Sequence, residues 1–244
     1  MDFAGALLSA TQIDLRFGAL VVLDKVDFAL APGEAMGIVG PNGAGKTSLL
    51  NVLAGSYRAS AGAIRFRGND VTTLSAAERC RQGIARSHQV PRPFSGMTVF
   101  ENLMTAATHG GRLSGAHAYE RCIDALELCA MTPLANRRTD ALGLLDRKRL
   151  EMARALATGP AVLLLDEIGG GLTDAEAALL VETIREIRRR GIALVWIEHI
   201  VHVLLQVVDR LVCMDAGRVI ADGEPRQVLA DAQVVDAYLG SVHA

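Results

Sequence analysis

The order of apolar and polar positions divides this chain into a β-rich front, a helical middle and an α/β close. Residues 8–30 alternate in stretches such as Val26-Asp27-Phe28-Ala29-Leu30, which predicts an antiparallel pair of strands. Ala35-Met36-Gly37-Ile38-Val39 is a short, continuous apolar run of the kind found in strands buried on both faces. Residues 47–54 read as a helix closed by Gly55. Residues 63–67, turned at Gly68-Asn69, add a β element, and residues 84–88 read as a further strand. Two prolines and a glycine in residues 90–96 break the pattern. From Thr98 to about Arg154 the chain reads as helical and strand-free, with apolar spacing near 3.6 in residues 117–130. The close alternates again: apolar strands at 161–165 and 192–197 flank an amphipathic helix at 174–190. Residues 209–214 and 218–222 then flank a turn at Ala216-Gly217, as in a hairpin, and short helices follow.

This succession predicts an α/β fold: a mostly parallel sheet, an antiparallel β element ahead of it and an all-helical insertion. We expect one domain over residues 1–244, with 8–88 and 155–244 forming the sheet core and its antiparallel part, and 89–154 the helical part. Length alone allows one large domain or two small ones. Half of the residues are apolar, ample for a substantial core. A net charge of −2 gives no electrostatic case for a nucleic-acid partner, and 4% aromatic residues give no stacking platform. No apolar run approaches the ~20 residues that cross a bilayer. Residues 1–10 lack the basic region and long apolar stretch of a signal peptide. If the protein works at a membrane, another chain must supply the span. Cys80, Cys122, Cys129 and Cys213 are scattered without a C-x-x-C pair and read as buried free thiols. His88, His109, His117, His202 and His243 have no ligand-like spacing and read as structural or surface residues. The cluster Arg185, Arg188, Arg189 and Arg190 reads as a solvated helix end.

The chemistry begins with Gly40-Pro41-Asn42-Gly43-Ala44-Gly45-Lys46-Thr47, which fits the phosphate-loop pattern G-x-x-x-x-G-K-[ST] at every fixed position. Its glycines let the backbone curl and turn N–H groups toward one centre, and the helix that opens at Gly45–Lys46 adds its positive end. Lys46 reaches the β- and γ-phosphates, and the Thr47 hydroxyl suits Mg²⁺. Asn42, Gly43, Ala44, Gly45 and Ser48 complete the expected nucleotide contacts. The run preceding Asp166-Glu167 places two carboxylates at the C-terminal end of a buried strand, where ligands bind in open α/β sheets. Asp166 suits Mg²⁺, usually through water. Glu167 suits orienting or deprotonating the water that attacks the γ-phosphate. An acidic helix cap is the plainer alternative. His199 follows the next apolar strand at the same edge and suits the γ-phosphate or the attacking water. Gln89, at the end of its strand, suits Mg²⁺ or water from a loop able to move. Phe17 closes the first strand, either as a ring face for a purine or as a core aromatic.

Together, in this order, these pieces resemble the nucleotide-binding subunit of ATP-binding-cassette (ABC) transporters over Leu8 to Gly240. Within that family the chain looks most like the branched-chain amino-acid uptake ATPases. The resemblance rests on Ile84-Ala85-Arg86-Ser87-His88-Gln89, Met97-Thr98-Val99-Phe100-Glu101-Asn102-Leu103, Arg149-Leu150-Glu151-Met152-Ala153-Arg154-Ala155-Leu156 and Asp236-Ala237-Tyr238-Leu239-Gly240. It implies a P-loop NTPase fold with a RecA-like core, ATP and Mg²⁺ as ligands, and ATP-driven head-to-tail dimerisation. It also implies docking to membrane permease subunits near Gln89, a periplasmic binding protein upstream, and a peripheral place on the cytoplasmic face of the inner membrane. One stretch departs from the family. The signature Leu-Ser-Gly-Gly-Gln, which caps the γ-phosphate of the facing subunit, falls on Leu142-Gly143-Leu144-Leu145-Asp146. The serine hydroxyl is gone at Gly143, Leu145 stands where glycine lets backbone approach phosphate, and Asp146 brings negative charge near a polyanion. The proline usual beside the acidic pair is also absent, with Ile168 after Glu167. The expectation is a heterodimer with a second ATPase of intact signature, a homodimer being the alternative. Two other readings are a soluble ABC-type ATPase unconnected with transport and a nucleotide-binding regulatory module that does not hydrolyse.

Overall fold

The computed structural model describes residues 5–240, so His243 lies outside the described residues. The alternating front folds as β1 (Leu8–Phe17) and β2 (Leu20–Leu30), paired antiparallel from Leu8↔Leu30 to Phe17↔Leu20. β3 (Ala35–Val39) is buried at every position, as its unbroken apolar run requires, and leads through the phosphate loop into α1 (Lys46–Ala54). β4 (Ala61–Phe66) pairs antiparallel with β1 and carries the short β5 (Asn69–Asp70). The first sheet thus runs β2-β1-β4-β5.

α2 (Ala76–Gln82) opens on a capping box in which the Ser75 hydroxyl accepts from the Glu78 N–H and the Glu78 carboxylate accepts from the Ser75 N–H. Its Arg79 is fully buried without a carboxylate. It donates instead to the Val52 and Leu53 carbonyls, at 2.7 and 2.9 Å, and so satisfies the end of α1. β6 (Ile84–Arg86) is shorter than the apolar pattern of 84–88 predicts. The Ser87 N–H still donates to the Leu164 carbonyl at 2.9 Å, after which the chain leaves the sheet edge ahead of Pro91 and Pro93.

α3 (Val99–His109), α4 (Gly115–Leu128) and α5 (Leu144–Ala157) form the helical part and pack on one another around Leu103, Cys122, Leu126 and Leu150. The stretch is nearly strand-free: an isolated antiparallel bridge joins Thr98 to Arg138. The close supplies β7 (Val162–Asp166), α6 (Asp174–Arg189), β8 (Ala193–Ile197), the single turn α7 (Val201–Leu204), and the hairpin β9 (Arg210–Asp215) and β10 (Arg218–Gly223). α8 (Pro225–Ala230) and α9 (Ala232–Gly240) end the described chain. Arg188 proves more than a solvated helix end, since it donates to the Val207 carbonyl at 2.8 Å and pairs with Asp209, tying α6 to the approach of β9.

The second sheet runs β10-β9-β3-β8-β7-β6, parallel throughout except for the β9–β10 hairpin. Its two faces follow from the two-residue strand period. Val39, Leu163, Leu165, Leu194 and Trp196 join the core shared with α3–α6, whereas Ile38, Val162, Leu164, Val195 and Ile197 face α1 and the first sheet. Fixing both faces in this way leaves one place for polar chemistry, the edge where the parallel strands end.

Candidate active site

β3, β7, β8 and β6 all finish at that edge, and each delivers a residue singled out from the sequence. The phosphate loop leaves β3 at Gly40, and Gly45 takes φ +97° as the N-cap of α1. A glycine there supplies the backbone turn but no capping side chain, and no acidic residue sits in the first turn. The first N–H groups of α1 therefore remain available to an anion, with the helix dipole favouring negative charge. Leu20, Val22, Asn42, Gly43, Ala44, Gly45, Lys46, Thr47, Ser48 and Glu167 line a cavity of about 320 Å³.

Lys46 is only 5% exposed, and its ammonium donates to the carbonyls of Gly40 at 2.7 Å and Pro41 at 2.8 Å. Burial pushes its pKa below the ordinary lysine value, against the opposing charges of Glu167 and Asp166. The ammonium thus rests on its own loop, next to a cavity built for an anion.

Across the cavity Asp166 ends β7 at 1% exposure. Its Oδ1 accepts from the Thr47 hydroxyl at 3.2 Å and its Oδ2 from Arg86 Nη2 at 2.7 Å. Arg86, the last residue of β6, also bonds Asn51 Oδ1, and Asn51 Nδ2 donates to the Thr47 carbonyl at 2.8 Å. Glu167 follows at φ +47°, a left-handed conformation that turns its side chain out of the strand and over the phosphate loop. Its Oε1 lies 2.8 Å from His199 Nε2, and its Oε2 accepts from the Gln89 side-chain amide. Glu167, His199 and Gln89, widely separated in sequence, therefore meet at one carboxylate.

Three placements refine the sequence reading. Gln89 turns its amide to Glu167, whereas Thr47 and Asp166 pair with each other. Phe17, 51% exposed, packs edge-to-face on Tyr57 with ring centroids 5.5 Å apart, and Leu20 and Val22 stand at the cavity wall instead. The third concerns residues that the sequence did not single out. Arg86 and Asn51 brace the Thr47–Asp166 pair. Buried Glu198 accepts from the Gly169 N–H at 2.8 Å and the His199 N–H at 2.9 Å, while Lys148 holds the carbonyls of Ile168 at 2.8 Å and Gly170 at 2.5 Å. Glu198 sits next to His199 and was readable as a neighbour; the reach of Lys148 from α5 to the loop after β7 has no local signal.

A phosphate loop beside a strand-end carboxylate pair on a parallel sheet defines a P-loop nucleotide-binding protein. The ABC transporter family model matches residues 23–169, and a branched-chain amino acid ATP-binding cassette transporter model matches residues 218–244. The chain belongs to the ABC transporter family, as one of its ATP-binding cassettes. It is 34% identical to the high-affinity branched-chain amino acid transport ATP-binding protein LivG of Escherichia coli, over 96% of this chain and 98% of that one. To the corresponding protein BraF of Pseudomonas aeruginosa it is 32% identical, with the same coverage. A cassette of an ABC transporter solved in its ADP conformation superposes with a TM-score of 0.88 at 31% identity, covering 96% of this chain and 99% of that one. Among the described residues no helix is long and apolar enough to cross a membrane.

Proposed function

We propose that this chain is the ATP-hydrolysing subunit of an importer for branched-chain or related amino acids, working through separate membrane permease subunits. The observation that carries the hydrolytic role is the Glu167 carboxylate, held between His199 and Gln89 on the wall of the phosphate-loop cavity. The transported class rests on likeness to LivG and BraF, and the periplasmic binding protein that delivers it is what the family resemblance implies. Such a subunit sits on the cytoplasmic face of the inner membrane, bound to its permease near Gln89.

Each residue then has a task. The amides of 42–48 and the Lys46 ammonium bind the triphosphate, Lys46 exchanging its two carbonyl partners for phosphate oxygens. Hard oxygen donors at Thr47, in the cavity wall, and at buried Asp166, 3.2 Å from it, fit Mg²⁺. Held by these two residues, the ion would supply positive charge toward the phosphate oxygens. Glu167 takes the proton of the attacking water. Its two oxygens offer about four lone-pair sites, so partners on both still leave room for water. His199 and Gln89 hold that carboxylate in place. The exposed ring of Phe17 remains available to the base.

The facing subunit is a second ATPase with an intact signature. This chain keeps Lys46, Asp166, Glu167 and His199 for its own nucleotide but offers Gly143, Leu145 and Asp146 to its partner's. That asymmetry favours a heterodimer over a homodimer. The test is Glu167→Gln in the chain assembled with its permease and partner. ATP binding is retained, and hydrolysis at this site falls about 10²–10⁴-fold, the usual effect of losing a positioned base. Hydrolysis within threefold of wild type would remove Glu167 from the mechanism.

A further inference from the structure

The C-terminal segment Asp236–Gly240 marks the subgroup in sequence, yet the hydrolytic machinery makes no use of it. In the structure, α9 comes back to the head of the phosphate loop, and the Tyr238 hydroxyl accepts a hydrogen bond from the Gly40 N–H at 2.8 Å, across 198 residues of chain. The same residue presents its carbonyl to Lys46 at 2.7 Å. Gly40 adopts φ +142°, and an added Cβ there would lie 2.0 Å from the Met214 carbonyl oxygen of β9. Gly40 is thus fixed on three sides: by β9, by Lys46 and by α9. It is also the first residue after β3, at the entry of the loop whose amides must converge on phosphate. Burial raises the Tyr238 hydroxyl above the ordinary tyrosine range, with the Gly40 N–H opposing, so it stays protonated at neutral pH.

We propose that Tyr238 is a positioning residue for nucleotide binding, its hydroxyl fixing the entry peptide of the phosphate loop from the C-terminal helix. The inference rests on the nucleotide-binding reading above and adds a structural route to it. A peptide held at its N–H keeps the loop in register before nucleotide arrives, so less ordering remains to be done on binding. It follows that a partner which lifts α9 loosens the loop and weakens the grip on ATP. The C-terminal helix is then a handle on nucleotide affinity.

Tyr238→Phe removes the hydroxyl and keeps the ring that packs α9. With Mg·ATP as the titrant in calorimetry of the full chain, the variant should bind about 2- to 10-fold more weakly, the range that loss of one neutral hydrogen bond gives. In uniformly ¹⁵N-labelled protein the Gly40 amide should exchange with solvent several-fold faster, while the amides of β7 and β8 stay unchanged. Equal affinity in wild type and variant overturns the proposal, and so does unchanged Gly40 exchange. A fall in thermal stability without a fall in affinity assigns Tyr238 a packing role only and equally overturns it. Should the wild-type chain bind no ATP, the nucleotide reading fails, and Gly40 exchange alone still decides whether the latch exists.

Discussion

Arg86→Met tests the brace behind the Thr47–Asp166 pair. In the native chain the Arg86 and Asp166 side chains are 12% and 1% exposed and meet at 2.7 Å. Methionine keeps the stem but leaves the carboxylate buried with one oxygen unpaired. Breaking a buried pair from one side costs about 3–5 kcal/mol, because a charge is left without compensation. The lower figure applies here, since Arg86 keeps some solvent access and Thr47 still serves Oδ1. For a chain of this size about 1 kcal/mol moves the melting temperature by ~2–4 °C, so a loss of ~3 kcal/mol lowers it by roughly 6–12 °C. A divalent cation held by Thr47 and Asp166, as proposed above, would supply the positive charge that the guanidinium no longer does. Mg·ATP should therefore recover more stability in the variant than in wild type. The readout is thermal unfolding followed by emission of Trp196, the chain's sole tryptophan and fully buried, in EDTA and in saturating Mg·ATP. Arg154→Met is the control, as it breaks a comparably buried pair with Glu151, 2.8 Å long, outside the nucleotide cavity, and should cost the same in both buffers. A drop for Arg86→Met below about 2 °C in EDTA, or an equal drop in both buffers, refutes the brace.

Two further outcomes follow. Restoring the signature with Gly143→Ser and Leu145→Gly should raise ATP turnover of the assembled transporter at least about tenfold, a fraction of the ~10²–10³ that one donor to developing charge contributes. Space permits it, since an added Cβ at Gly143 meets nothing within 4 Å, and an unchanged rate with intact assembly would count against the asymmetric dimer. The second concerns pH. The Glu176 carboxylate is held below its usual value by the Thr173 backbone N–H first and then by the Thr173 hydroxyl. Its folded pKa lies below the unfolded one, so its stabilisation is present above the ordinary glutamate value and is lost as pH falls through the folded one. Glu176→Gln should accordingly unfold more easily than wild type at pH 7, with the gap closing in acid. A gap that persists in strong acid would show that the capping box formed by Thr173 and Glu176 at the start of α6 works by hydrogen bonding alone.

What the sequence made legible was local. The phosphate loop, the Asp166-Glu167 pair and the strand before each were readable because backbone requirements and apolar runs are written over a few consecutive residues. α2 was equally written, in the Ser75-to-Glu78 spacing of a capping box, but its apolar face is poor: Arg79 fills the place of a core side chain and bonds carbonyls instead. Arg86 carries no signal of its own beyond the family stretch that contains it. Its partners Asn51 and Asp166 lie 35 and 80 residues away, and strand order alone brings them together. The same limit hid Lys148 and Tyr238, whose carbonyl and amide partners carry no side-chain signal. Phe17 was placed by the sequence at the end of β1, but where its ring points depends on Tyr57, beyond α1.

The altered signature can be weighed by what holds it. Gly143 caps α5 with φ −69° and ψ 174°, the extended geometry of a helix N-cap, yet has no side chain to satisfy the first N–H groups. Below it the helix is firmly placed: Arg147 donates to the Leu142 carbonyl at 2.9 Å, Lys148 spans to the loop after β7, and Leu150 to Ala153 are buried. Lys148 also joins this helix to the chain's own site, because Ile168 and Gly170, whose carbonyls it holds, lie in the loop just after Glu167. The substitutions thus fall on the solvent-facing tip, where Leu144 is 46% exposed, and spare the frame beneath it. In the proposed heterodimer the partner would dock at this tip and meet it with bare backbone amides alone, on a helix that Lys148 ties to the loop after Glu167.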